Sequence, residues 1–343
     1  MIFTRIPNNI LKVIAWITII VGVASGVYAW YFFSHHNIIF TPEGETPDFA
    51  VTGPIGDFIG GVIGTILSFA ATLFVVITLN EQSYQHKREL FAQNYYEMLK
   101  IHNDNVSSMV LHQSNGKDII SRDVFTKLIK DYERVYDYVH SYMLSIVNGA
   151  VNDTTDIKSM KEYLANPQNM QSLEMRIAYG YYFYGSDVYH LQDPKIPIEK
   201  TIEETIFNLM KVANTVVYGK HVLLGHYYRH IYHMVMQIIA EKNITETERY
   251  TYAKQLRAQL NDNEQILLYY NALSEVGREW LVRPNSKKEI KTTKQMSPMA
   301  RFRMIKNIRL EGVTKGVKPE EVFKNEIAIY KKNNKNFFEL KLI

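Results

Sequence analysis

The 343-residue chain contains no cysteine. Disulfides, thiolate nucleophiles and cysteine-held zinc or iron–sulfur centres are therefore excluded. There is no glycine-rich phosphate loop, and no stretch alternates apolar and polar as a half-buried strand does. Between Leu79 and Gly116 neither glycine nor proline occurs, so nothing in that stretch stops a helix. Ser34–Asp57 lacks Lys and Arg while carrying Glu43, Glu45, Asp48 and Asp57. Charge is missing from two longer runs, Val13–Phe33 and Phe58–Leu79. The second holds 22 residues without an ionisable side chain, or roughly 33 Å of helix against a hydrocarbon core of about 30 Å.

These absences predict an all-α protein with two N-terminal transmembrane helices, about 13–33 and 58–79, within a membrane anchor at 1–80. A helical cytoplasmic domain at 81–282 and a basic C-terminal segment at 283–343 follow. A cleaved signal peptide is the competing reading of the first run. Its apolar core normally spans about 7–15 residues, whereas this run has 21. Arg5 and Lys12 precede the first run, and Lys87 and Arg88 follow the second. The positive-inside rule puts both termini in the cytoplasm and the acidic loop outside.

Gly56, Gly60, Gly64 and Ser68 recur every fourth residue. On an α-helix they form a stripe of small residues where another backbone can approach closely. Glycine weakens a helix by about 1 kcal/mol in water, so the stripe calls for a packing reason, within the chain or between copies in a homo-oligomer. The alternative is that membrane helices tolerate glycine.

Beyond Leu79 the second span is expected to continue as a long stalk, with Phe91, Tyr95, Met98, His102, Val106 and Met109 at helical spacing. Val124, Phe125, Leu128, Tyr132, Val135, Tyr136 and Val139 mark a further helix. Others are predicted over Met170–Tyr184, Ile202–Val217, 221–240 and 246–278, with a short one starting near Pro319. The net charge of +4 conceals a division. Residues 281–343 hold 16 Lys and Arg against 6 Asp and Glu, on an acidic body. Such a segment, looser in composition, meets RNA, anionic lipid or the body itself.

Two constellations could carry chemistry. His226, Arg229, His230 and His233 lie within roughly a 100° arc of one helix. They suit a solvated face, a protein or nucleic-acid contact, a metal site using His226 and His230, or a nuclease using Arg229 and His233. No acidic residue between the two His and no third ligand supports the metal. Only three residues separate Arg229 from His233, short of the four to six of HEPN-type ribonucleases. In the second constellation Arg257, Asn261, Glu264, Asn271 and Glu275 share one face of the helix expected at 246–278. Facing 221–240 in an antiparallel hairpin, they form a structural network or an active site. Nothing in the sequence calls for a cofactor or a metal.

Gly53–Leu79, Gln82, Arg88 and Phe91, with Gly225-His226-Tyr227-Tyr228-Arg229, Leu256-Arg257-Ala258-Gln259-Leu260, Leu267-Leu268-Tyr269-Tyr270-Asn271 and Gly277, resemble the phage abortive infection proteins of the AbiC type. The resemblance spans roughly residues 10–280. Its motif matches are Gly56, Asp57, Gly60, Gly61, Gly64, His226, Arg229, Arg257, Gln259 and Asn271. It implies two membrane spans, a helical cytoplasmic domain and defence against bacteriophage by arresting or killing the infected cell, with no established reaction. The expected function is a membrane-anchored effector that answers a phage-derived trigger by perturbing the membrane. The alternatives are a membrane-tethered ribonuclease and a passive scaffold that recruits a partner.

Overall fold

The computed structural model describes residues 7–35, 49–112, 116–149, 155–191, 194–285 and 289–339. Among these residues it is all-α apart from one hairpin of two two-residue strands and an isolated bridge between Gly185 and Tyr218, and it divides into two compact units, Met1–Ala92 and Gln93–Ile343.

In the first unit α1 (Asn8–His35) is followed by α2 (Phe49–Phe58), a π-helical turn (Ile59–Ile63) and α3 (Gly64–Ser107). Both apolar runs are helices long and apolar enough to cross a membrane, Asn8–His35 and Thr52–Ser107. The two are antiparallel neighbours. Asn8 donates to Glu81 at 3.3 Å, Trp16 meets Phe74 edge-to-face at 6.1 Å, and Gly22 and Gly26 face Leu67 and Ile63. Leu11, Ala15 and Ile77 form the small shared core with Leu73 and Phe74.

Two expectations change here. The connection read across Ser34–Asp57 is shorter, because α2 already covers Phe49–Phe58; residues 36–48, including Glu45, lie outside the described residues. Pro54 sits inside α2, where it removes one i→i−4 bond without ending the helix, and the π turn follows at Ile59–Ile63. That turn also interrupts the four-residue stripe, since i→i+5 bonding shifts the register. A Cβ at Gly56, Gly60, Gly61 or Gly64 would meet nothing within 4 Å. Ser68 and Asp57 are exposed. Among the described glycines of the first unit the closest approach falls at Gly22, where a Cβ would stand 2.9 Å from Leu67 Cδ2.

The second unit takes up the end of α3, where Tyr95, His102 and Val106 are buried. An antiparallel hairpin of β1 (Val110–Leu111) and β2 (Ile119–Ile120) leads to α4 (Asp123–Val147), α5 (Thr155–Leu164), α6 (Pro167–Tyr184), α7 (Pro197–Val212) and α8 (His221–Ala240). Then come α9 (Glu246–Gln259), α10 (Asp262–Leu273), α11 (Pro298–Arg301), α12 (Pro319–Val322) and α13 (Lys324–Lys332).

α4 is amphipathic, and the residues expected to mark its inner face, from Val124 to Val139, are buried. α6 and α10 are instead buried almost all round, from Leu173 to Phe183 and from Glu264 to Ala272. This explains the paired tyrosines. Neighbours on a helix point about 100° apart, so Tyr181-Tyr182 and Tyr269-Tyr270 can both be buried only in a central helix. Tyr132 is the hub, 4.5 Å from Tyr270 and 5.4 Å from Tyr182 between ring centroids.

α7 runs over Pro197–Val212, not Ile202–Val217, because Pro197 opens the helix at its first turn rather than breaking the chain before it. The helix expected at 246–278 is two. Asn261 caps α10 by accepting from Glu264 N at 2.8 Å, while Glu264 Oε2 accepts from Asn261 N at 2.6 Å. This reciprocal capping box starts a new helix where apolar periodicity alone reads straight on.

The basic segment is folded on the second unit, not loose. Met299, Phe302, Met304, Ile305, Ile308 and Val313 are fully or almost fully buried. Its cations meet acids of the body: Arg301 pairs with Glu246 at 2.9 Å, Arg309 pairs with Asp262, and Lys315 pairs with Asp137.

Candidate functional site

α8 buries Leu224, Tyr227, Tyr228, Ile231, Met234, Val235 and Ile238 against the core. Its last carbonyls are held by Arg249 of α9, which reaches Ile239 O at 2.8 Å and also Ile238 O and Glu241 O. One side of α8 forms a wall of a cleft of about 780 Å³. His221, Gly225, Tyr228, Arg229, Tyr232, His233 and Met236 line it. Their spacing is that of a single helix face, roughly 22 Å long at 1.5 Å per residue.

Phe183 and Tyr184, at the end of α6, close one end, and Glu279 and Trp280 the other. Each accessible ring is braced by a buried one. Phe183 meets Tyr184 edge-to-face at 4.9 Å, and Trp280 meets Tyr232 edge-to-face at 5.2 Å. Burial, and then the nearby Glu279, push the Tyr232 phenol up.

Two glycines shape the cleft. At Gly277 a Cβ would stand 2.3 Å from both the backbone O and Oδ1 of Asn271, a closeness no side chain tolerates. Asn271 is itself fixed, donating to Tyr179 Oη at 3.0 Å and accepting from Ser274 Oγ at 2.6 Å. At Gly225 a Cβ would have ordinary contacts, 3.7 Å from Arg229 Nη2 and 3.8 Å from Phe183 Cζ, so glycine there keeps the cleft open.

The first constellation is divided. Arg229 and His233 both line the cleft. Arg229 Nε donates to Gly225 O at 3.0 Å, and Gln237 Nε2 donates to His233 Nε2 at 2.9 Å. His226 is exposed and does not line it. His230 turns the other way, donating to Met98 O at 2.9 Å with its ring stacked 6.0 Å from His102. Burial, then the neighbouring His230 and Arg122, lower the His102 pKa to about 4. Among the described residues no group of three or more His, Asp or Glu gathers as metal ligands do.

The second constellation comes apart with its helix. Arg257 is buried and donates to Phe302 O at 2.9 Å and Arg303 O at 3.2 Å, tying down the C-terminal segment. Glu264, fully buried, accepts from Arg122 at 2.7 Å and from the Tyr227 hydroxyl at 3.2 Å. Burial pushes its carboxyl up, against the pull of Asn261 N–H and Arg122. Arg122 also donates to Gln259 O at 2.6 Å. Glu275 pairs instead with Arg176 at 2.8 Å. Of the five, only Asn271 reaches the cleft.

A family model described as "Putative phage abortive infection protein" matches residues 219–284. These residues run from the start of α8 through the Gly277–Trp280 turn and supply most of the cleft. The resemblance to abortive infection proteins of the AbiC type is borne out over this segment, and it supports a general role in defence against phage. No curated protein and no solved structure matches the chain.

Proposed function

We propose that the protein is a membrane-anchored effector of bacterial abortive infection, held in the inner membrane with both termini in the cytoplasm. The observation that carries the reading is the outward face of the N-terminal helices. Val13, Trp16, Ile17, Ile20, Val23, Val27 and Trp30 are all more than half exposed. A core helix of a soluble protein buries such side chains, and leaving them in water costs about 25 cal/mol per Å². In lipid that cost vanishes. The Gln93–Ile343 unit receives a phage-derived signal, and the spans then repack or assemble as a homo-oligomer so that the membrane leaks. The open surface at Gly60 and Gly64 supports assembly, because it leaves room for a second copy's backbone.

A membrane-tethered ribonuclease is the second reading. It is favoured by Arg229 and His233 lining one cleft with Glu279 at its end. One experiment separates the two. A Gly60→Leu, Gly64→Leu double variant should insert normally, since leucine favours the bilayer. It should nevertheless lose phage protection and early depolarisation, because overpacking costs about 1–3 kcal/mol at a close contact. His233→Ala should keep both. Full protection by the glycine variant, with RNA cleavage that disappears in His233→Ala at equal abundance, would reject the membrane mechanism and favour the nuclease.

A further inference from the structure

The cations of the second unit are paired almost wherever they meet the body. Arg122, Arg176, Arg301, Arg309 and Lys315 each hold a carboxylate. Arg229 differs. Its Nε bonds only its own helix, and its Nη1 and Nη2 have no acceptor among the described residues although a carboxylate, Glu279, lines the same cleft. The same cleft is lined by the two braced rings, Tyr184 and Tyr232. A guanidinium with a free edge is a fork for two oxygens of a phosphate. A ring held rigid at the wall of a cleft is a platform for a planar base. At about 780 Å³ the cleft is of the size that holds a small organic ligand.

We propose that this cleft is a binding site for a nucleoside phosphate. The phosphate sits on the Arg229 fork, with His233 as a second donor. The base lies against Tyr232 or Tyr184, and the Glu279 carboxylate accepts from a ribose hydroxyl or a base amino group. Charge limits the ligand's size. The lining holds one guanidinium and no lysine, so it offers a single phosphate fork and suits a mononucleotide rather than a strand running through it. The inference stands independently of how the membrane helices act.

The test uses the full-length protein in detergent micelles and titration calorimetry. The probes are AMP, GMP, CMP and UMP, their nucleosides, inorganic phosphate and a hexameric single-stranded RNA. At least one monophosphate should bind more tightly than its nucleoside and than phosphate alone. Its affinity should fall modestly with salt, as screening weakens the single contact between Arg229 and the phosphate. Arg229→Ala should weaken the nucleotide by about ten- to a hundredfold, the worth of a charged hydrogen bond, and leave the nucleoside unchanged. Arg229 is exposed and tied only to its own helix, so the variant should melt like the parent. Gly225→Leu, which fills the space between Arg229 and Phe183, should abolish binding of nucleotide and nucleoside alike. Four results would overturn the proposal: no monophosphate binds; Arg229→Ala binds as well as the parent; phosphate alone binds as tightly as the nucleotide; or the hexamer binds far more tightly with a much steeper salt dependence, which would make the face a nucleic-acid surface.

Discussion

Glycine at 277 and glycine at 225 border the same cleft, yet replacing each by alanine should change stability in opposite directions. At Gly277 the new methyl would need the Asn271 backbone and amide oxygens to retreat by about 1 Å to reach ordinary contact distance. Asn271 is buried in α10 and pinned by Tyr179 and Ser274, so the strain cannot drain into a flexible side chain. Overpacking of this kind costs about 1–3 kcal/mol, and the loss of one buried hydrogen bond adds about 1 kcal/mol. A net loss near 3 kcal/mol lowers the melting temperature of a domain of this size by roughly 6–12 °C. Gly225 lies inside α8, where a Cβ would have only ordinary contacts. There alanine removes glycine's backbone-entropy cost and should stabilise by about 0.5–1 kcal/mol. Near-UV circular dichroism melts of the two full-length variants, side by side with the parent, read both signs. If Gly277→Ala melts with the parent, the tight Asn271–Gly277 approach does not exist and the floor of the cleft is wrongly described.

A reporter active only in the cytoplasm should be active when fused after Leu79 and silent when fused near Glu45; activity at Glu45 would overturn the topology. His102, held neutral with its pKa lowered to about 4 against 6.5 in the unfolded chain, contributes stability that is full above pH 6.5 and lost as pH falls toward 4. Linkage puts the loss at about 2 kcal/mol between pH 7 and pH 5. His102→Phe should flatten that part of the stability–pH curve, and an unchanged curve would refute the assignment. Arg257→Ala leaves the carbonyls of Phe302 and Arg303 short of a donor, at a cost of about 1–3 kcal/mol for each group left unpaired. Limited proteolysis should then cut within 289–339 well before the body, and parent-like resistance would show that Arg257 does not hold the segment.

What the sequence made legible was mostly local. α8 could be placed to the residue because its apolar stripe is long and regular. The run from Asp262 to Leu273 reads as a continuation of α9, with no Gly or Pro between Glu246 and Leu273 to mark a stop. The Asn261-x-x-Glu264 signature that restarts the helix was present and is the signal that could have found the break. α5 is only ten residues long, with Ile157, Met160 and Leu164 as its buried positions, too few to stand out before the fold is known. In the site, Arg229 and His233 could be paired from helical spacing alone. That His230 faces His102, and that Phe183 and Tyr184 meet the same cleft as Trp280, depends on packing between segments far apart in the chain. Arg122 gave no signal at all. It sits in a turn after Ser121, whose left-handed φ of 56° aims the chain into α4, and its role appears only once Glu264 is buried beside it.

The anchoring of Phe302 and Arg303 by Arg257 also fixes an order of events at the ribosome. The apolar helices emerge first, and in a chain growing at about 5–20 residues per second they are complete many seconds before Met299, Phe302, Ile305 and Ile308 exist. Until those side chains arrive, Arg257 has no carbonyls to bind and the faces they cover stay open to water. A nascent molecule therefore carries an unfinished globule behind its apolar helices, and completion of that globule waits on residues that follow the family-matched segment by some 20 positions.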